Sequence, residues 1–302
     1  MALQKLEEIF DLLRSKPKRR MIAAYANDSH TIGAAAKAVE LGIIDATLVG
    51  DKATIEAVCK EEKIDPSIFE IVQEDVDVKA VAKAIELIHE GRGQLLMKGL
   101  VTTDKYMRGI LNKEKGLLPP KAVLSHVTVM EVPTYHKLLV IGDVAIIPQP
   151  DMKQKMAIMN YEIAVAKSLG IEQPKVALLA ATEQMSVGMQ ACVDAALIAK
   201  MAERGQIGGG ALIDGPLALD VAVDKESAEI KKLSNPVVGD ADCLVFPNIE
   251  SGNVFFKTCT KFAGAELGAM VMGAKVPCIL ASRGDSVQSK LYSIALAANA
   301  AK

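Results

Sequence analysis

The sequence predicts an α/β fold in which mostly parallel strands carry helices on both faces. Short apolar segments alternate with segments of helical periodicity along most of the chain. Half of the 302 residues are hydrophobic and Trp is absent, so sizeable aliphatic cores are expected. Parallel neighbouring strands need a crossover connection, and strict alternation of strand and helix provides one at each step.

Four strand–helix pairs are expected before residue 115. An amphipathic docking helix precedes them, because residues 3, 6, 9 and 13 are apolar at helical spacing. Each predicted strand is a short apolar run, and each predicted helix repeats its apolar residues every three or four positions. The predicted strands are 21–28, 45–51, 69–73 and 94–100, and the predicted helices are 29–43, 54–63, 78–91 and 102–114.

The pattern changes near residue 115, where a proline-rich stretch indicates a domain boundary. Segments 125–133 and 137–148 are extended with no helix between them, which predicts an antiparallel pair. The last strand and helix are expected to return to the first domain, giving one α/β domain of 1–120 plus 276–302 and another of 121–275. The later predicted strands are 175–182, 209–215, 242–247 and 276–282, and the later predicted helices are 152–169, 187–205, 229–233, 251–274 and 287–300.

Composition and motifs exclude several classes of function. The net charge of −2 gives no electrostatic case for a nucleic-acid partner. No apolar run reaches membrane-spanning length, and five cysteines without a CxxC or a secretory signal indicate a cytoplasmic protein with reduced thiols. The four histidines lack metal-ligand spacing, so no metal site is expected. The glycine-rich nucleotide loops and the GxSxG elbow are also absent.

Polar and basic residues mark the predicted strand ends, where open α/β sheets bind their ligands. Each group also has a purely structural explanation: the threonines as helix caps, and the segment around residue 215 as a turn. Several such ends in one chain favour a binding site more than any one of them does. The candidate binding residues are Lys98, Thr102, Thr103, Arg108, Asp214, Gly215, Asn248, Asn253 and Lys257.

The most suggestive strand end is Ser282-Arg283-Gly284-Asp285, between the last predicted strand and helix. A helix start offers unpaired amides and a favourable dipole to an anion, and arginine presents a planar fork that suits phosphate. The alternative is a polar loop in which Ser286 caps the helix.

Taken together, five segments resemble the phosphate acetyl/butyryl transferase family: KGLVTTDKYMRG, IIPQPD, IDGPLALDVA, FPNIESGNVFFK and ASRGDS. Their order matches the family over nearly the full chain, and KGLVTTDKYMRG with SRGDSVQSKLYSIALA is more similar to the butyryl branch. The resemblance implies reversible acyl transfer from acyl-CoA to phosphate, with butyryl favoured and acetyl as the alternative. It also implies the two-domain fold of isocitrate and isopropylmalate dehydrogenases, with the active site in a cleft, and a homo-oligomer without a bound cofactor.

The resemblance also implies roles for individual residues. Ser282 and Arg283 match the family's catalytic Ser-Arg pair, and Arg108 matches a basic residue that helps to hold phosphate or CoA. The acetyl branch carries an acidic residue seven positions after its serine, where this chain has Ser289. Asp285 is the nearest carboxylate and is therefore the third candidate catalytic residue.

Two other classes of function stay open from the sequence. A decarboxylating dehydrogenase on the same fold needs a metal-binding carboxylate cluster, and the aspartates at 214, 220, 240 and 242 do not form a familiar one. A non-catalytic protein that binds CoA or acyl phosphate would show affinity without turnover.

Overall fold

The computed structural model describes residues 2–280 and 286–301. Its strands are β1 (Arg19–Ala24), β2 (Ile44–Gly50), β3 (Glu70–Gln73), β4 (Leu95–Lys98), β5 (Ser125–Glu131), β6 (Leu139–Gly142), β7 (Lys175–Leu179), β8 (Leu212–Leu217), β9 (Cys243–Val245), β10 (Glu266–Met272) and β11 (Cys278–Ile279). Its helices are α1 (Glu8–Arg14), α2 (Ser29–Glu40), α3 (Lys52–Glu61), α4 (Asp77–His89), α5 (Thr103–Ile110), α6 (Met152–Ser168), α7 (Gln190–Glu203), α8 (Leu219–Val223), α9 (Lys225–Ile230), α10 (Ile249–Phe262) and α11 (Val287–Ala300).

The chain forms two compact α/β units. The terminal unit contains residues 7–124 and the chain from residue 268 onward, and the central unit contains residues 2–6 and 125–267. Both units combine a mostly parallel sheet with helices, so the predicted fold class is confirmed at that level.

In the terminal unit the strands lie in the order β3-β2-β1-β4-β11-β10. The first four pairings are parallel and only β10 runs antiparallel to β11. The interior is aliphatic, as the composition predicted. Its buried side chains include Ile22, Leu48, Ile85, Leu96 and Ile294.

In the central unit the order is β5-β6-β9-β7-β8. The pair β5–β6 is antiparallel, which confirms the predicted antiparallel segments, and the remaining pairings are parallel. One hydrophobic core covers one face of this sheet. It includes Met130, Ile141, Leu244, Phe246 and Val221.

The predicted alternation of strand and helix before residue 115 is confirmed in every element, with ends shifted by a few residues. The docking helix is shorter than the apolar spacing suggested, since α1 covers only Glu8–Arg14. Its apolar side is nonetheless buried, with Ile9 and Leu13 in the core.

The predicted helix over 251–274 is wrong in its second half. Helix α10 ends at Phe262, Gly264 adopts a φ of +67°, and β10 follows. Glycine reaches this left-handed conformation without a Cβ clash and commonly stops a helix there. The Gly/Ala-rich sequence after it has weak periodicity, and pairing with β11 decides that it is a strand.

Asp214 and Gly215 do not lie at a strand end. They lie inside β8, with Ala177 of β7 opposite Asp214, and the strand continues to Leu217. Pro216 is tolerated there because β8 is the last strand in the order of this unit, where a missing N–H leaves no neighbour unpaired. None of the helices in the described ranges is long and apolar enough to cross a membrane.

Candidate active site

In the terminal unit, three neighbouring parallel strands end at the same edge of the sheet. Ala24 of β1 pairs with Lys98 of β4, and Ile279 of β11 pairs with Met97 of β4. The chain beyond β11 therefore leaves the sheet next to the strand end that carries Lys98. In open α/β sheets, ligands bind at the edge formed by the carboxyl ends of the strands.

The three candidate catalytic residues, Ser282, Arg283 and Asp285, lie outside the residues that the structure describes. The chain on both sides of them is described. Leu280 follows β11, and Ser286 is the N-cap of α11, accepting a hydrogen bond at 3.0 Å from the backbone N of Ser289. The alternative role of Ser286 as a cap is thus confirmed.

Lys98 and Thr102 shape the connection from β4 to α5. The Lys98 Nζ donates to the carbonyls of Gly99 at 3.2 Å and Val101 at 3.1 Å, so the ammonium folds back over its own strand end. Thr102 is the N-cap of α5 and Thr103 is its first residue, with both side chains exposed. The cap role of Thr102 does not exclude a ligand at the exposed helix start.

The structure does not bring Arg108 to that helix start. Arg108 lies in the last turn of α5, five residues and therefore about 8 Å along the helix axis from Thr103. Its guanidinium is 79% exposed, and Nε donates to Asp104 Oδ1 at 3.1 Å. An exposed pair of this kind holds the side chain weakly.

Helix α5 is fixed to the sheet by Tyr106. Its ring is fully buried, and its hydroxyl donates to the Leu96 carbonyl at 3.1 Å. Burial raises the pKa of Tyr106 well above its ordinary value, and burial also raises the pKa of the neighbouring Cys278 thiol to about 12. Cys278 therefore stays protonated and is not a nucleophile.

In the central unit, Asn248 and Asn253 lie at the first turn of α10. Asn248 is the N-cap, and its Oδ1 accepts from the backbone N of Ser251 at 2.9 Å. Asn253 Nδ2 donates to the Val144 carbonyl at 3.0 Å. A Cβ at Gly252 would lie 2.5 Å from the Asp143 carbonyl, so the helix start packs directly on the segment after β6.

Lys257 lies one turn further along α10 and is exposed. Its Nζ lies 5.7 Å from the centroid of the Phe256 ring, a cation–π distance. On α10, Asn253 and Lys257 are four residues apart and therefore share one face of the helix, whereas Asn248 caps its start.

Asp214 and Gly215 have structural partners. The Asp214 carboxylate accepts from Asn235 Nδ2, and burial raises the pKa of this carboxyl. A Cβ at Gly215 would lie 2.6 Å from Leu178 Cβ and 3.1 Å from Ala195 Cβ, so the glycine permits close packing of α7 on the sheet.

Two acids at the carboxyl end of β6 were missed by the sequence analysis. Asp143 is buried, and its Oδ1 accepts from the backbone N of Ala145 at 2.7 Å and of Ile146 at 2.9 Å. Glu162 of α6 is completely buried, and neither carboxyl oxygen has a hydrogen-bond partner within the described ranges. Burial, helped by the charge of Asp143, raises the pKa of Glu162 well above its ordinary value.

A buried ion pair was also missed. Lys155 of α6 lies 2.7 Å from Asp194 of α7, and Gln190 Nε2 donates to the same carboxylate. In the sequence, Lys155 and Glu162 look like the polar face of an amphipathic helix. Within the part of the chain that the structure describes, no group of three or more His, Cys, Asp or Glu is placed to hold a metal ion.

The sequence of this chain is similar to proteins of one known family. The family model described as Phosphate acetyl/butaryl transferase matches residues 68–298. A phosphate butyryltransferase of Clostridium acetobutylicum is 41% identical over 98% of this chain and 98% of its own length. A phosphate acetyltransferase of Rhizobium meliloti is 40% identical over 97% of this chain and 92% of its own length.

A solved structure gives the same result for the fold. The crystal structure of a branched-chain phosphotransacylase from Enterococcus faecalis V583 is similar with a TM-score of 0.80 and 29% sequence identity, covering 93% of this chain and 98% of that one. Because the family model matches well over half of the sequence and the relatives are similar along nearly all of it, this chain belongs to the phosphate acetyl/butyryl transferase family.

Proposed function

We propose that this protein transfers a short-chain acyl group reversibly between CoA and inorganic phosphate, with butyryl as the preferred group. Family membership supports the reaction, and the 41% identity to a phosphate butyryltransferase supports the preference. The observation that supports the site is the parallel pairing of β4 with β11, because it puts the end of β11 beside the strand end that carries Lys98 and leads to the exposed start of α5. Ser282, Arg283 and Asp285 follow β11 in the sequence.

The chemistry needs phosphate and thioester held side by side. A phosphate oxygen attacks the thioester carbonyl carbon, the C–S bond breaks, and CoA leaves as a thiolate. In our proposal the Arg283 guanidinium holds phosphate, and Ser282 donates to the acyl oxygen, where negative charge develops in the tetrahedral intermediate. Asp285 is the proposed proton acceptor for the CoA thiol in the reverse direction.

The remaining candidates are proposed to position the two substrates. Lys98, Thr102 and Thr103 offer a cation, a hydroxyl and a helix start at the same strand end. Asn248, Asn253 and Lys257 are proposed to contribute from the start of α10. The exposed guanidinium of Arg108 is free to turn toward a charged part of CoA, since its pair with Asp104 is weak.

Some finer expectations stay predictions. These are the correspondence to isocitrate and isopropylmalate dehydrogenases, the domain limits 1–120 plus 276–302 and 121–275, and the cleft. The homo-oligomer, the cytoplasmic location and catalysis without a bound cofactor belong with them.

Acetyl transfer is the second candidate, because the relative from Rhizobium meliloti is nearly as similar and is a phosphate acetyltransferase. A thiol-release assay with acetyl-CoA, propionyl-CoA and butyryl-CoA, each with and without phosphate, separates the two. We expect release that depends on phosphate and is fastest with butyryl-CoA. A highest rate with acetyl-CoA would show that acetyl is the preferred group. Absence of any phosphate-dependent release would reject the proposed reaction.

A single variant tests the assignment of Arg283 to the site. Arg283→Ala is expected to lower phosphate-dependent release by about two to three orders of magnitude with an unchanged melting temperature, as for other lost transition-state contacts. Arg14→Ala is the matched control, because Arg14 is a half-exposed arginine of α1 that pairs with Asp11. Near-normal turnover by Arg283→Ala would reject the assignment.

A further inference from the structure

Tyr25 follows β1 directly and adopts a left-handed backbone conformation, with a φ of +58°. This conformation is unfavourable for any residue with a Cβ, and an aromatic side chain is a rare occupant. A residue held this way is maintained by its surroundings, and such residues concentrate at functional sites.

None of the other non-glycine residues with positive φ in the described ranges directly follows a strand. They are Lys63, Lys121 and Lys232, all exposed. Lys63 and Lys232 directly follow the C-caps of α3 and α9, the usual position for a left-handed residue. Tyr25 differs, because it follows β1, a strand that pairs with β2 on one side and β4 on the other.

Backbone hydrogen bonds from both neighbouring strands impose the conformation. The N–H of Gly99 donates to the Ala24 carbonyl and the N–H of Leu100 donates to the Tyr25 carbonyl, each at 2.9 Å. On the other side, the N–H of Ala26 donates to the Val49 carbonyl at 2.9 Å. A Cβ at Gly99 would lie only 2.3 Å from the Tyr25 carbonyl oxygen, so β4 fits closely against this turn.

The Tyr25 side chain makes no polar contact with the described residues. The side chain is partly exposed, and its hydroxyl has no hydrogen-bond partner in residues 2–280 and 286–301. Within the same ranges the ring stacks on no other aromatic ring. A glycine would satisfy the backbone at this position better, so the ring needs another explanation.

Position suggests that explanation. Register places Ala24 beside Lys98, so Tyr25 lies at the same edge of the sheet as Lys98 and the end of β11. Of the two substrates, phosphate has no apolar surface, whereas acyl-CoA has an acyl chain and a pantetheine arm. A tyrosine ring offers a large rigid apolar surface, which suits acyl-CoA.

We propose that Tyr25 is a substrate-binding residue whose ring contacts the acyl and pantetheine end of acyl-CoA. The proposal rests on the proposed function, since it takes acyl-CoA as the ligand. It adds Tyr25, at the carboxyl end of β1, to the proposed binding residues. It also explains the left-handed backbone of Tyr25 by a role in binding acyl-CoA.

The test compares two variants with a control. Tyr25→Gly removes the ring and relieves the backbone, so we expect the KM for butyryl-CoA to rise about tenfold, the KM for phosphate to stay within about twofold, and the melting temperature to stay equal or rise. Tyr25→Phe keeps the ring and is expected to bind as the unchanged protein does. Lys63→Gly gives the same backbone relief after α3 and should leave both KM values unchanged.

Several outcomes would overturn the proposal. These are an unchanged KM for butyryl-CoA in Tyr25→Gly, an equal loss in Tyr25→Phe, or a lowered melting temperature in Tyr25→Gly that assigns the ring to packing. Equilibrium binding of butyryl-CoA to the same proteins tests the Tyr25 contact independently of the proposed acyl transfer. If the unchanged protein binds butyryl-CoA without turnover, only the proposed reaction fails, and about tenfold weaker binding by Tyr25→Gly still supports the contact.

Discussion

At the amino ends of β6, β7 and β9, charged side chains of the central unit neutralise one another. At the opposite end of β6, the Glu162 carboxyl is buried and has no hydrogen-bond partner among the described residues. Lys137 Nζ lies 3.0 Å from Asp240 and 2.7 Å from Asp242, and Lys175 pairs with Asp240. At the carboxyl end of β6, a Cβ on Gly142 would lie 2.9 Å from Glu162 Oε1.

The two ends therefore respond to pH in opposite directions. Burial alone raises the pKa of Asp240, but hydrogen bonds from Lys175, Lys137 and His136 outweigh it and hold that pKa well below its ordinary value. Stability from Asp240 is present above the unfolded pKa of about 4 and is lost as the pH falls. For Glu162, whose pKa is raised, stability is lost as the pH rises.

This difference indicates that the two ends of the strands have different roles. In the central unit, paired charges at the amino ends serve stability, while the carboxyl ends carry the cap of α10 and an acid with no hydrogen-bond partner among the described residues. In the terminal unit, the carboxyl end of β1 carries the strained turn at Tyr25. Open α/β sheets bind ligands at carboxyl ends, and such features are typical of binding sites. Three changes test the comparison.

The largest effect is expected from Asp242→Ala at the amino ends. Asp242 is 4% exposed, pairs with Lys137 and accepts from the backbone N of Lys175 at 2.8 Å. Removing this buried carboxylate leaves Lys137 with Asp240 alone and takes the acceptor from the backbone N–H of Lys175. The free energy of unfolding should therefore fall by about 2–3 kcal/mol. Urea denaturation measures the loss, and KM values of the folded variant should be unchanged.

Glu203→Ala is the control for that prediction. It removes an exposed pair with Lys200 on α7, which is expected to stabilise by less than about 1 kcal/mol. Equal small losses in both variants would contradict the stability role of the amino ends.

An intermediate effect is expected from Glu162→Gln at the carboxyl end of β6. The unfolded chain releases the Glu162 proton near its ordinary pKa, whereas the native state retains it. Stability of the unchanged protein should therefore fall by up to about 1.4 kcal/mol per pH unit between those two pKa values because of this group. The variant lacks this term, so its stability relative to the unchanged protein should grow as the pH rises.

Urea denaturation of both proteins from pH 5 to pH 8 measures that difference. Titrating groups far from Glu162 cancel in the comparison, because they are common to both proteins. A difference in free energy that stays constant across this range would show that Glu162 is ionised in the native state.

The smallest effect on stability is expected at Asn248. Asn248→Ala removes the N-cap of α10 and should cost about 1 kcal/mol, whereas Asn248→Asp keeps a capping oxygen and should cost little. If Asn248 also contacts a negatively charged substrate, Asn248→Asp should raise the KM for phosphate or CoA by about tenfold without loss of stability. Unchanged KM values in Asn248→Asp would leave Asn248 with a cap role alone.

Much of the fold was predictable from the sequence because local periodicity and helix caps agree with the tertiary structure. Thr102 and Ser286 were recognised as caps from their positions alone, and both cap as expected. The strand character of β10 was not predictable, because small residues fit a helix or a strand and a long-range pairing decides between them.

The candidate site was predictable only where chemistry is visible in single residues. Lys98 and Asn248 are recognisable in the sequence because each is a polar residue that follows an apolar run. Glu162 does not, since a glutamate on a helix normally faces water, and only the packing of α6 on β6 buries it. Tyr25 reads as part of an apolar strand, and its φ depends on hydrogen bonds from residues 49, 99 and 100.

The central claim is that the acyl group of acyl-CoA passes to phosphate. Phosphorus NMR on butyryl-CoA, orthophosphate and the purified protein tests it most directly. We expect a new acyl phosphate signal that grows in equal amount with released CoA thiol. Release of CoA thiol without any acyl phosphate signal would mean that water takes the acyl group, and would reject acyl transfer to phosphate.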